Sequence, residues 1–300
     1  MGGRRGLVVG RMLFAAGAMV ALIHMGAPSA AWARHPVPTT TTVPQTTTTT
    51  VPPTTTTTVP QTTTTTTVPQ TTTTVPQTTT TLPGGGPTAG GYDISWPQCG
   101  KAYPANPAFG IVGASDGLAY SDNPCLSSEF QWAARSSRPA GLYMNTADPG
   151  AASSHWTAPG PKACSGGSGD LGCAYNYGWN AAQHAFAYAA TQAPASLGAP
   201  WWLDIETTNT WSSDTAANDA DIQGMVDYAG SQAVTVGVYS TSFQWGQITG
   251  GMTLAVPNWL AGASSATQAS RWCSSAPSFT GGPVRVVQYP SGSFDGDAIC

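Results

Sequence analysis

Seven short apolar runs that alternate with longer amphipathic ones predict an α/β fold over residues 91–300, built on a parallel sheet, closed or open. Two observations sharpen this. About 210 residues follow the N-terminal region, enough for one sizeable core and the right size for a single α/β barrel. Several apolar runs also end on acidic residues, and strand ends are where a parallel barrel presents its chemistry.

The candidate strands are 91–95, 109–114, 139–144, 201–205, 234–239, 256–261 and 284–289, each apolar and bounded by turn-forming residues. Helices are expected near 125–135, 179–191 and 216–231, with a short one near 243–248. The Gly/Ser/Asp/Pro-rich stretch 145–178, which holds Cys164 and Cys173, predicts a long loop clipped by its own disulfide.

Ahead of this domain, Arg4, Arg5 and Arg11 precede an apolar run from Met12 to Ile23, and small residues close on Ala31-Trp32-Ala33. That order predicts a signal peptide over 1–33 and a secreted or cell-surface protein. A twin-arginine signal at Arg4-Arg5 and an uncleaved membrane anchor are the alternatives. Residues 34–90 are Thr runs punctuated by Val-Pro-Gln, with no acidic residue. Such a segment buries too little apolar surface to offset its chain entropy, so a disordered Thr/Pro-rich linker is expected, with O-glycosylation a further option.

All fourteen acidic residues lie beyond this linker with six of the ten basic ones, a formal charge of −8. That balance argues against nucleic acid as a partner. The six cysteines also lie there, and an exported chain with an even count predicts disulfides. Fifteen pairings are open; the pairs nearest in sequence are Cys99–Cys125, Cys164–Cys173 and Cys273–Cys300. Metal binding is not expected, since no C-x-x-C occurs and no histidine stands at ligand spacing beside a cysteine.

The chemistry concentrates in Trp201-Trp202-Leu203-Asp204-Ile205-Glu206. Acids at i and i+2 of a strand share one face, with α-carbons about 6.6 Å apart at roughly 3.3 Å per residue. Neighbouring carboxylates disfavour each other's charge, so one keeps a proton near neutral pH. Glycosidic cleavage needs such an acid at the leaving oxygen and a second charge at the oxocarbenium-like centre. A lone D-x-E more often caps a helix or meets solvent. Here Asp93 ends the first candidate strand and Asp295 with Asp297 follows the last, and burying that many acids as packing is costly.

These residues resemble the glycoside hydrolase family 25 lysozymes, the Chalaropsis-type N-acetylmuramidases. The likeness runs in order through Gly91-Tyr92-Asp93-Ile94-Ser95 with Trp96 and Gln98, then Ile111-Val112-Gly113-Ala114-Ser115-Asp116-Gly117, then Leu203-Asp204-Ile205-Glu206. It continues through Val236-Gly237-Val238-Tyr239-Ser240-Thr241 and Trp259-Leu260-Ala261 to Gln288-Tyr289 and Phe294-Asp295-Gly296-Asp297. The resemblance covers essentially all of 91–300 and implies an irregular (β/α) TIM-like barrel cleaving the β-1,4 bond between N-acetylmuramic acid and N-acetylglucosamine. It also implies Glu206 as general acid and Asp204 as holder of the substrate's N-acetyl group, which acts as internal nucleophile. Asp93 and Asp295 would tune the pair and orient the sugar, with no cofactor and peptidoglycan as partner.

Aromatic side chains give sugar rings an apolar face and hydroxyls a polar tip. Tyr239, Trp259, Tyr289 and Trp96, all at or just past strand ends, are the expected substrate-binding residues. The domain itself is expected to act as a monomer away from the membrane. This sequence departs from the family where Gly262-Ala263-Ser264 follows Trp259-Leu260-Ala261, at Asp116, and in the Cys-rich loop. The alternative function is therefore a catalytically inactive or differently specific glycan-binding barrel displayed on the cell wall.

Overall fold

Strand sequences that are apolar on both faces close into an eight-stranded barrel in the computed structural model, which describes residues 90–300. The expected signal peptide (1–33) and linker (34–90), except for Gly90, lie outside the described residues. Strands β1 (Gly91–Ile94), β2 (Gly110–Gly113), β3 (Gly141–Asn145), β4 (Trp201–Asp204), β5 (Val236–Ser240), β6 (Asn258–Leu260) and β7 (Val284–Ser291) run parallel in chain order. The last strand, β8 (Phe294–Ile299), returns antiparallel between β7 and β1 and closes the ring. Helices follow only five strands: α1 (Leu126–Ala133) after β2, α2 (Leu171–Gln192) after β3, α3 (Thr215–Ser231) after β4, α4 (Ser242–Thr249) after β5 and α5 (Ala266–Ser275) after β6. The barrel is thus irregular, as the resemblance implies.

The two-residue side-chain period sorts each strand between lumen and helices. Ile111, Trp202, Trp259 and Val286 pack together as the barrel interior, whereas Val112, Leu142, Leu203 and Val238 join the layer under the helices. The interior is an aromatic floor: the Trp259 ring meets Trp202, Tyr143 and Tyr239 edge to face at 5.7, 6.1 and 4.7 Å between centroids. Gly237 makes room for this, because a Cβ there would stand 2.3 Å from the Trp202 ring.

The structure corrects three sequence expectations. Helix α2 begins at Leu171, so the expected loop 145–178 ends at Asp170 and Cys173 sits in a helix. Two glycines of this stretch that belong to the helix are contact glycines: a Cβ on Gly172 would lie 1.8 Å from the Ala163 carbonyl oxygen, and one on Gly178 would lie 2.0 Å from that of Asp221. The Asp170 carboxylate starts the helix by accepting from the amides of Gly172 and Cys173 at 2.9 and 3.0 Å. Helix α5 was missed because its Ser/Thr/Gln-rich sequence buries only Ala269, although Ser265 and Gln268 form an S-x-x-Q start signal. Strand β8 was missed because its acids suggest a solvent loop; they face the lumen, and Gly292, at φ 69°, turns the hairpin from β7.

Three disulfides join Cys99 to Cys125, Cys164 to Cys173 and Cys273 to Cys300, the pairs nearest in sequence, and leave no free cysteine. They fasten the segment after β1 to the start of α1, the β3–α2 loop to the first turn of α2, and α5 to the C-terminal residue.

Candidate active site

Parity along the strands decides which polar groups reach the mouth. A polar cavity of about 180 Å³ opens there, lined by Asp93, Tyr143, Asp204, Glu206, Tyr239, Trp259, Gln288 and Asp295. Six of the eight expected site residues thus meet in one place. Asp93 on β1 lies directly across from Asp295 on β8, and Asp204 ends β4 two residues before Glu206.

The D-x-E backbone is pinned from several sides. The Asp204 carbonyl accepts from the Thr146 hydroxyl at 2.6 Å and the Asn209 amide side chain at 3.2 Å. The Ile205 carbonyl takes the Ser240 hydroxyl at 2.7 Å, and the Glu206 carbonyl takes the Trp211 indole N–H at 2.7 Å. Such bonds hold the two carboxyls without using their oxygens.

Each carboxyl has its own orienting partner. Asn145 donates through Nδ2 to Asp204 Oδ2 at 2.6 Å, and its own Oδ1 accepts from the Ser115 hydroxyl at 2.8 Å. Asp204 Oδ1 is buried and has no partner among the described residues. Glu206 is bonded by Gln244, the first-turn residue of α4. Gln244 Oε1 accepts from the Thr207 amide and hydroxyl at 2.6 and 2.9 Å, which turns Nε2 toward the Glu206 carboxyl. Gln288 donates to Asp93 Oδ2 at 3.0 Å and accepts from the Tyr239 hydroxyl at 2.8 Å. Behind Asp93, the fully buried Asp297 accepts from the Trp259 indole at 2.8 Å.

Crowding and burial raise every one of these acids. Burial, then the charges of Glu206 and Asp93, holds Asp204 well above the carboxylate range. Burial pushes Glu206 up, the Gln244 bond draws it back, and Asp295 adds to the rise. Asp93 reaches about 7, chiefly through burial and then Asp295, against the bonds from Gln288 and Asp297. The site therefore stores protons at neutral pH, the property a general acid needs.

This storage has a consequence for stability. Between the ordinary 3.8 and about 7, folded Asp93 keeps a proton that the unfolded chain has released, so its contribution is lost as pH rises through that window. Thermal melts at pH 5 and pH 8 should show a larger fall in Tm for the wild type than for Asp93→Asn. Equal falls would remove Asp93 from the proton store.

Two expected residues lie elsewhere. Tyr289 alternates with Gln288 on β7, so it faces outward and packs with the cluster of Leu260, Ala269 and Val287 beside α5. Trp96 stands past β1 in the short turn Trp96–Gln98, 45% exposed and outside the cavity lining. Sequence reasoning in turn passed over Tyr143, Asn145 and Gln244 as site residues. For the first two the signal was present: Leu142 and Met144 are buried in the helix-facing layer, so Tyr143 and Asn145 point inward.

The family model described as Lysozyme-like protein 1 matches residues 179–272. Probable GH family 25 lysozyme 4 of Dictyostelium discoideum is 42% identical over 52 residues, 17% of this chain and 24% of that protein. Lysozyme-like protein 5 of Caenorhabditis elegans is 41% identical over 73 residues, 21% of this chain and 34% of the relative. The chain thus spans about a quarter and about a third of the length of these curated relatives. Among solved structures, a family 25 glycosyl hydrolase from Bacillus anthracis aligns over 70% of this chain and 88% of that one, with 13% identity and a TM-score of 0.45. Residues 179–272, the stretch similar to the lysozyme-like family model, carry β4, β5 and β6 with Asp204, Glu206, Tyr239 and Trp259.

Proposed function

We propose that this protein is an exported lysozyme-type glycoside hydrolase that cleaves the β-1,4 bond between N-acetylmuramic acid and N-acetylglucosamine in peptidoglycan, working as a monomer. The observation that carries the reading is the gathering of Asp93, Asp204, Glu206 and Asp295 around one polar cavity, with the carboxyls of the D-x-E pair held above their ordinary range.

Glu206, oriented by Gln244, gives its proton to the leaving glycosidic oxygen. Asp204 is anchored through Oδ2 by Asn145, and its unpartnered Oδ1 is the atom left to meet the substrate's acetamido group. The acetamido oxygen attacks the anomeric carbon as the glycosidic bond breaks, giving a bicyclic oxazolinium-type intermediate. Asp204 accepts from the acetamido N–H, where the growing positive charge draws its carboxyl back toward the ionised form, and the Glu206 carboxylate then takes a proton from the water that opens the ring. Asp93, linked through Gln288 to Tyr239, and Asp295 orient the sugar above the Trp259 floor.

The purified protein, incubated with peptidoglycan, is expected to release fragments with new reducing ends whose masses place N-acetylmuramic acid at the reducing terminus. Fragments ending in N-acetylglucosamine would overturn the bond assignment. Binding to the wall without any sugar release would instead support a non-catalytic glycan-binding barrel.

A further inference from the structure

A second cavity, of about 280 Å³, is lined in part by the segment that follows Glu206. Its walls come from the disulfide-clipped β3–α2 loop, through Asp148, Trp156, Ser168 and Gly169, and from Thr210 and Trp211 after β4. Asp148 is fully buried. Its Oδ1 accepts from the Gly150 amide at 3.0 Å, and its amide donates to the Thr210 carbonyl at 2.9 Å, but Oδ2 has no partner among the described residues. Two further carboxylates stand around it. Asp221, also fully buried and close enough for the Asp148 charge to raise it, leaves both oxygens unpartnered among the described residues, and Asp214 lies beside Gly169; burial first, and then the charge of Asp214, raises the Asp148 carboxyl. Among the described residues, no Lys or Arg lines the cavity.

A buried carboxylate oxygen without a donor is costly unless a ligand satisfies it, and indole walls favour a cation with an apolar stem. We propose that this cavity binds the protonated primary amine of an aminoalkyl side chain, the group that diamino acids carry in peptidoglycan stem peptides. This rests on the reading of the neighbouring mouth as a peptidoglycan hydrolase and names the part of the substrate recognised beside it. Trp211 joins the two places: it lines the cavity while its indole N–H holds the Glu206 carbonyl at 2.7 Å. An amine seated against Asp148 therefore braces the backbone of the catalytic acid.

The probe is pentylammonium chloride, titrated into the full protein and followed by tryptophan fluorescence, with pentanol as uncharged counterpart and calcium chloride as inorganic cation. Pentylammonium is expected to saturate and pentanol to give no response. Asp148→Asn, which keeps the Oδ1 acceptor, and Ser168→Lys, which places a tethered ammonium at an exposed position of the rim, should each weaken pentylammonium binding about tenfold or more. In hydrolysis assays, wild type should show a KM about tenfold lower for glycans with lysine stems than with norleucine stems, and Ser168→Lys should erase the difference. Equal responses to pentylammonium and pentanol, or calcium displacing the amine as the tighter ligand, would overturn the proposal. Hydrolysis indifferent to both the stem and Ser168→Lys overturns it while leaving the hydrolase reading intact. Amine binding that depends on Asp148 and Ser168 in a protein that cuts no glycan does the reverse.

Discussion

Glu206→Gln should lower the rate of peptidoglycan cleavage by roughly 10²–10⁴-fold, the usual contribution of a positioned general acid, while the melting temperature stays within a few degrees of wild type. The glutamine amide fills the same space and still meets Gln244, but it has no proton to give to the departing oxygen. The loss should fall on kcat, because the proton is transferred in the transition state and not on binding. The wild-type rate should also decline as pH rises and Glu206 ionises. In the variant that decline should disappear from the residual rate, which isolates the raised carboxyl as its source. Both quantities are measured on defined muropeptide oligomers by product mass. A variant that keeps wild-type kcat would transfer the acid role to another carboxyl of the cavity, with Asp93, held at about 7, the first to examine.

The acid pair was legible in the sequence because two local rules coincide at Trp201–Asp204: an apolar run predicts a buried strand, and the two-residue period puts Asp204 and Glu206 on one side. Asp93 and Asp295 were legible as strand-end acids, and the barrel brings them opposite each other. Tyr289 went the other way for the same reason. It is one residue from Gln288, and a reading by proximity to a strand end ignores the parity that turns Tyr289 toward α5 and Gln288 toward Asp93. Gln244 was hidden because its role depends on where the first turn of α4 meets the segment after β4, a matter of tertiary register that no local pattern encodes. Helix α5 and strand β8 show the limit of hydrophobic periodicity. A helix that buries one alanine and a strand whose inward residues begin with two acids, Asp295 and Asp297, carry almost none of it.

The start of α2 shows a different ambiguity, and its largest expected effect is on stability. Gly178→Ala should destabilise the protein by about 3 kcal/mol, near the top of the usual range for overpacking, and lower Tm by roughly 6–12 °C for a domain of this size. Helix propensity alone predicts the opposite, since alanine is favoured over glycine by about 1 kcal/mol inside a helix. The packing of α2 on α3 decides the sign. A Cβ on Gly178 would lie 2.0 Å from the Asp221 carbonyl oxygen, and one on Gly224, across the same seam, would lie 2.1 Å from that of Tyr175. Both obstacles are backbone, so no side-chain rotation relieves them and the helices must separate. Gly230, near the end of α3, supplies the control, because a Cβ there meets nothing within 4 Å. Gly230→Ala should therefore stabilise the protein by about 0.5–1 kcal/mol through the unfolded chain. Opposite signs for the two substitutions in the same thermal or denaturant melt are the expected result. A stabilising Gly178→Ala would mean that the two helices do not meet backbone to backbone, and the wall that carries Asp221 behind the second cavity would then lie elsewhere.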